Sequence, residues 1–114
     1  MNADLPEFRI LEPVREFLAR EIHLAGGREV SFVARLNGKG LLIEARVVAR
    51  GTVDMVLALP GAASRGEMLL HNHPSGHLEP SGPDLHVAAR LHDGGVGFGI
   101  LNNEASALYI VVEV

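Results

Sequence analysis

Residues 67 to 84, Glu-Met-Leu-Leu-His-Asn-His-Pro-Ser-Gly-His-Leu-Glu-Pro-Ser-Gly-Pro-Asp, constrain this chain more than any other stretch. The apolar run from Glu67 to Asn72 reads as a buried strand entering a turn. Side chains at i and i+2 of a strand share a face, roughly 7 Å apart, so His71 and His73 address one point. Pro74 holds His73 in extended backbone, which preserves that alternation, and Pro74-Ser75-Gly76 turns the chain. Seven residues separate His73 from Ser81, and two separate Ser81 from Asp84. That is loop enough to return to the histidines. Two imidazoles and a carboxylate can hold a zinc ion and leave a fourth position open for water, the layout of a catalytic site. A serine beside them can hydrogen-bond an oxyanion.

Each part also has a plainer reading. Ser81-Gly82-Pro83-Asp84 fits a helix N-terminus, with Ser81 as N-cap, Pro83 in the first turn and Asp84 at the capping-box position. His71 and His73 taken alone fit surface histidines at a strand end. The two readings of Ser81 and Asp84 are compatible, because a ligand at a helix start is rigidly placed.

The pattern His-x-His, seven residues, Ser, two residues, Asp resembles the JAMM motif of the JAB/MPN metallopeptidase family, and His71, His73, Ser81 and Asp84 fit it in register. The wording His-Asn-His-Pro-Ser-Gly is also similar to the RadC-type branch of that superfamily. The later stretch Ala-Ala-Arg-Leu-His-Asp-Gly-Gly-Val-Gly-Phe-Gly-Ile resembles the stand-alone prokaryotic JAB proteins. The likeness is sharp over residues 69–84 and looser over residues 8–114. It implies a cytidine-deaminase-like α/β sandwich, a zinc ion as cofactor, and His71, His73 and Asp84 as its ligands.

The remaining chain agrees with a single domain over residues 8–114 behind a flexible tail at 1–7. Glu12 to Ala25 reads as a helix, with Pro13 near its start, Gly26 near its end, and an apolar stripe of Val14, Phe17, Leu18 and Ile22. Arg28 to Leu36 and Leu41 to Arg50 read as strands joined at Asn37-Gly38, a hairpin signal. Val53 to Leu59 reads as a third strand and Pro60 to Gly66 as a loop. A second helix is expected at Ser81 to His92. A closing hairpin, Val96 to Leu101 and Ala107 to Val112, turns around Asn102-Asn103. This order predicts an α/β fold with a mixed, mostly antiparallel sheet flanked by two helices.

A hydrolase needs a group to move protons, and a carboxylate beside the metal can do so. The resemblance places that base at the start of the first long strand, where Glu29 stands, 42 residues before His71. The glycine and leucines that usually follow the family's glutamate are replaced by Ser31-Phe32-Val33-Ala34. Glu44, a lone acid in the apolar second strand, is the competitor. Glu67 shares the face of His71 but lies roughly 13 Å away. His23, His77, His86 and His92 read as exposed or half-buried side chains, and Ser75 as a turn residue. Gly94, Gly95, Gly97 and Gly99 lack phosphate-loop spacing and read as helix termination and close packing. His-Glu-x-x-His, Gly-x-Ser-x-Gly and cysteine are all absent, so those chemistries do not apply.

Charge narrows the partners. The formal net charge is −4; residues 1–50 hold eight basic and seven acidic side chains, residues 51–114 two and seven. The motif half is the acidic half, which argues against a nucleic-acid partner. No run of 18 apolar residues and no basic-then-apolar leader pattern occurs, and a cysteine-free chain suits a reducing compartment, so no membrane and a cytoplasmic location are expected. The leading expectation is a zinc metallopeptidase or isopeptidase. The resemblance implies a peptide or ubiquitin-like substrate, cut after a Gly-Gly tail, sulfur-carrier proteins included. The alternatives are a RadC-like domain and a metal-binding module without chemistry.

Overall fold

A computed structural model describes residues 9–51 and 62–114, together with the backbone of residues 3–4. In chain order the elements are β1 (Ala3–Asp4), α1 (Glu12–Leu24), β2 (Val30–Leu36), β3 (Leu42–Arg50), β4 (Glu67–Asn72), α2 (Gly82–Asp93), β5 (Gly97–Leu101) and β6 (Leu108–Val112). The strands form one sheet in the order β1-β6-β5-β4-β2-β3. Only β4 and β5 run parallel; every other neighbouring pair is antiparallel. This is the expected mixed, mostly antiparallel sheet with two helices. The third strand expected at Val53 to Leu59 lies outside the described residues. So does most of the tail at 1–7, of which Ala3–Asp4 pair with β6.

The helices cover opposite faces, and alternation along the strands sorts their cores. α1 begins with Pro13 in its first turn and buries Val14, Leu18 and Ile22, a stripe at i, i+4, i+8. These pack with Phe32, Ala34, Met68, Leu70 and Leu108. α2 buries Val87 and Ala88 against Val33, Leu69 and Phe98 on the other face. Each such fully buried Leu, Val or Phe contributes about 1.5–3 kcal/mol relative to exposure. Among the described residues no helix is long and apolar enough to cross a membrane.

The β2–β3 hairpin turns where it was expected, with β2 ending at Leu36 and β3 resuming at Leu42. The loop runs from Asn37 to Leu41, and its left-handed residue is Gly40, at φ 79°. The Asn37 side chain decides this: Oδ1 accepts from both Lys39 N–H and Leu41 N–H, 2.9 and 3.0 Å away. An Asx turn of this kind closes the loop between the two strands. The glycines after α2 act as expected. Gly95 ends the helix at φ 76°, and a Cβ on Gly99 would lie 2.9 Å from Leu108 and 3.0 Å from Leu70.

The α2 face changes character along its length. Register pairs Val33 with Leu69 and then Ser31 with His71. One step further along the same face come Glu29 and His73. An apolar core thus grades into a polar mouth where β4 ends and β2 begins.

Candidate metal centre

The end of β4 and the first turn of α2 converge. His71 is buried in the sheet and His73 lies just past its end, half-covered. Asp84 is 1% exposed, at the third residue of α2. One ligand atom from each of His71, His73 and Asp84 falls within a 4.8 Å span. His71 Nε2 lies 3.0 Å from Asp84 Oδ1, and His73 Nε2 lies 2.7 Å from Asp84 Oδ2.

Asp84 is fixed by a reciprocal cap. Its Oδ2 accepts from Ser81 N–H at 2.8 Å, and its own N–H donates to Ser81 Oγ at 3.1 Å. The plain reading of this segment, a helix N-cap, therefore holds, and the cap aims the Asp84 carboxylate at the two histidines. Burial by itself would raise the Asp84 pKa. The His71 ring, the Ser81 N–H and the His73 ring outweigh it and hold the carboxyl well below the usual range, so it is a carboxylate.

His73 is oriented from behind. Its Nδ1 lies 2.9 Å from the His77 carbonyl oxygen, which can only accept, so Nδ1 carries the proton. In the neutral ring Nε2 then presents a lone pair to Asp84 Oδ2. Two lone-pair atoms 2.7 Å apart need a proton or a cation between them. The donor set therefore fits a divalent ion of zinc type, with neutral imidazoles and one carboxylate.

His71 is held by packing. Its ring stacks on Phe98, centroids 5.1 Å apart at 28°, and meets the His73 ring edge-on at 4.9 Å. Neither ring nitrogen makes a hydrogen bond among the described residues. Burial pushes its pKa down, but Asp84 and Glu29 push harder the other way, and the net shift is upward.

Glu29 stands one residue before β2. Its Oε2 is buried without a hydrogen bond and stands 3.4 Å from His71 Nδ1. The competitor, Glu44, instead faces solvent on β3 and pairs with Arg35 at 2.7 Å. Glu67 is engaged by Arg46. A cavity of about 260 Å³ opens beside Glu29, lined by Ala25, Arg28, Arg50 and Gly51. A larger one, about 560 Å³, lies between the end of α1 and Asn103–Glu104 and touches none of the three ligands. His23, His77, His86 and His92 are exposed and stand outside the cluster.

Two residues matter here that sequence reasoning passed over. Asn72, between the histidines, points to the opposite face and is fully buried. Its Oδ1 accepts from Val30 N–H at 2.8 Å, and its Nδ2 donates to Arg28 C=O at 3.1 Å and to Asn103 Oδ1 at 2.9 Å. It thereby grips the backbone on both sides of Glu29. Asn103 continues the chain of contacts to the carbonyl of Pro74 at 3.1 Å. The second residue is Ser31, fully buried with an unpartnered Oγ, directly across from His71. Its signal was in the sequence: it is the sole polar residue in Val30 to Ala34.

A family model described as RadC-like JAB domain matches residues 9–102. The chain is 37% identical over 81 residues to a UPF0758 protein of Rubrobacter xylanophilus, covering 64% of this chain and 36% of that one. It is 31% identical over 108 residues to a UPF0758 protein of Methanospirillum hungatei, covering 86% and 48%. The chain thus spans between about a third and a half of the length of these relatives. The crystal structure of a JAB1/MPN domain protein from Archaeoglobus fulgidus superposes with a TM-score of 0.57 at 20% identity, over 93% of this chain and 94% of that one.

Proposed function

This chain belongs to the RadC-like JAB domain family, and on that premise we propose that it is a zinc-dependent hydrolase of peptide or isopeptide bonds. The observation that carries the reading is the convergence of His71, His73 and Asp84 beside Glu29, a carboxylate with a buried, unpartnered oxygen. The first three would hold the ion. When bound, zinc supplies Lewis acidity to the scissile carbonyl and to water. Glu29 takes a proton from the attacking water and returns it to the leaving amine. Ser81 Oγ accepts from the Asp84 N–H, which leaves its own proton to donate to the oxygen that gains charge in the transition state. The substrate class we propose is a ubiquitin-like or sulfur-carrier protein, cut after its Gly-Gly tail. Its support is the likeness of the motif.

A second reading, a RadC-like metal-binding or interaction module without turnover, is favoured by one feature of the site. Glu29 approaches His71 at Nδ1, on the opposite edge of the ring from Asp84. One experiment separates the two. Zinc content is measured on the purified protein, and the zinc-loaded form is incubated with a Gly-Gly-ended carrier joined through a peptide or a lysine isopeptide bond. The hydrolase reading expects about one zinc per chain and cleavage that disappears in Glu29→Gln while the metal stays. Zinc held by the three ligands with no cleavage of either bond supports the module. Zinc absent from a replete preparation removes both.

A further inference from the structure

Four buried side-chain atoms among the described residues lack a hydrogen-bond partner, and they fall on three neighbouring residues: Glu29 Oε2, Ser31 Oγ, and His71 Nδ1 and Nε2. A buried polar atom left without a partner is costly and calls for a physical account. Their concentration at one place on the sheet marks them as a set with a common purpose. His71 Nε2 faces Asp84 and belongs to the metal site described above. The other three need an assignment.

Ser31 has few choices. It sits in the interior of β2, between Ala49 on β3 and His71 on β4. Along its own face the next residues are Val33 and Glu29. The helix over that face buries Asp84, Val87 and Ala88. Of these neighbours only His71, Glu29 and Asp84 carry polar side-chain atoms, and Asp84 is already engaged by Ser81 N–H and the His73 ring. His71 is equally confined: its partner on β5 is Ile100, and Phe98 stacks on its ring. Directly opposed residues of an antiparallel pair place their Cβ atoms about 4.5–5.5 Å apart. A serine Oγ and an imidazole Nδ1 reach across that gap with one rotation of the serine.

We propose that Ser31 is a positioning residue for the metal site: its Oγ accepts the Nδ1–H of His71 and so commits Nε2 to the ion. This rests on the metal-site reading of His71, His73 and Asp84. A ligating histidine gives its second N–H to a fixed acceptor, which sets the tautomer and the ring plane. His73 already does so through the His77 carbonyl. Ser31 completes the same arrangement for His71. It also frees Glu29. The carboxylate 3.4 Å from Nδ1 makes no hydrogen bond there, and once Ser31 holds that proton, Glu29 is available to water.

The test uses the whole chain, stripped of metal and titrated with zinc alone against a chelator of known affinity. Ser31→Ala should bind zinc about 10–100-fold more weakly, the usual effect of losing a ligand's supporting acceptor, while its metal-free form melts no lower than wild type. Ser31→Thr and Ser31→Val have the same shape and differ in the hydroxyl, so they control for packing. Thr should stay close to wild type and Val should match Ala. Long-range ¹H–¹⁵N spectra of the zinc form should show the His71 proton on Nδ1, with its resonance moved in Ser31→Ala. Wild-type affinity in Ser31→Ala, or equal affinities in the Thr and Val variants, overturns the proposal. If wild type takes no zinc, the metal-site reading fails as well, which is a different result.

Discussion

Asn72→Ala should destabilise the metal-free protein far more than a polar-to-alanine change at a surface. The side chain is fully buried and makes three hydrogen bonds, at 2.8, 2.9 and 3.1 Å. Its loss strands the N–H of Val30, a fully buried residue, and that alone costs about 1–3 kcal/mol. The Arg28 carbonyl belongs to an exposed residue and can turn to water, so it adds roughly 0–1 kcal/mol. Asn103 sits at the surface and recovers a water partner. The sum is about 1–4 kcal/mol, a large share of a typical 5–15 kcal/mol total. Urea unfolding of the metal-free variant gives the magnitude. Amide exchange gives the location: the Val30 amide should lose protection before the rest of β2. Asn72→Asp keeps the acceptor for Val30 N–H, so it should retain that protection while losing the contact to Arg28. A loss below about 1 kcal/mol with Val30 exchange unchanged would refute the claim that Asn72 clamps the backbone around Glu29.

Glu29→Gln should lower turnover at least about a hundredfold with zinc retained, whereas Glu44→Gln, which only releases Arg35, should turn over normally; metal analysis and single-turnover rates check both. Ser81→Ala should cost roughly 1 kcal/mol through its N-cap, read by melting, and lower the rate further through the lost donor. Ser81→Asp separates these effects, since it caps but sets a charge beside the developing oxyanion. If Ser81→Asp melts and turns over like wild type, Ser81 is a cap alone. The pH dependence of the metal-free protein follows from two opposite shifts. Asp84 is depressed when folded, so its contribution is present above its ordinary 3.8 and fades as pH falls through the folded value. His71 is raised, so its contribution is full below 6.5 and fades as pH rises through the folded value. The contribution of this cluster to stability should peak between those limits, and melting from pH 4 to 8 should show a decline at the alkaline end that His71→Gln abolishes.

The clustering of His71, His73 and Asp84 was legible because its information is local. Strand alternation puts His71 and His73 on one face, and the cap signature puts Asp84 at a helix start, so fourteen consecutive residues suffice. The elements were legible for the same reason, each carrying its own period and punctuation. What stayed hidden depends on register. Nothing in Ser31 or Asn72 by itself states which residue lies across the sheet, and a slip of one position would exchange their faces. The place of the hairpin loop was legible, but not the side-chain contact that closes it, Asn37 Oδ1 accepting from Lys39 and Leu41 N–H. The orienting group for His73 was invisible for another reason: it is a main-chain carbonyl, and any residue at position 77 would supply it.

The three candidate ligands lie on one short stretch of chain, while the proposed base stands 42 residues before the first of them, just ahead of β2. Closing the ligand loop is therefore an event of low contact order, within reach before β2 has docked. The cost of closure grows only slowly with length, so the two closures differ little in entropy. They differ in what else must already be built: the shorter needs only the end of β4 and the first turn of α2, the longer needs the register of β2. On the proposed reading, a folding chain can thus acquire its ion ahead of its chemistry. Zinc would then stabilise partly assembled states as well as the native one, and raise the melting point by less than its native affinity alone would give.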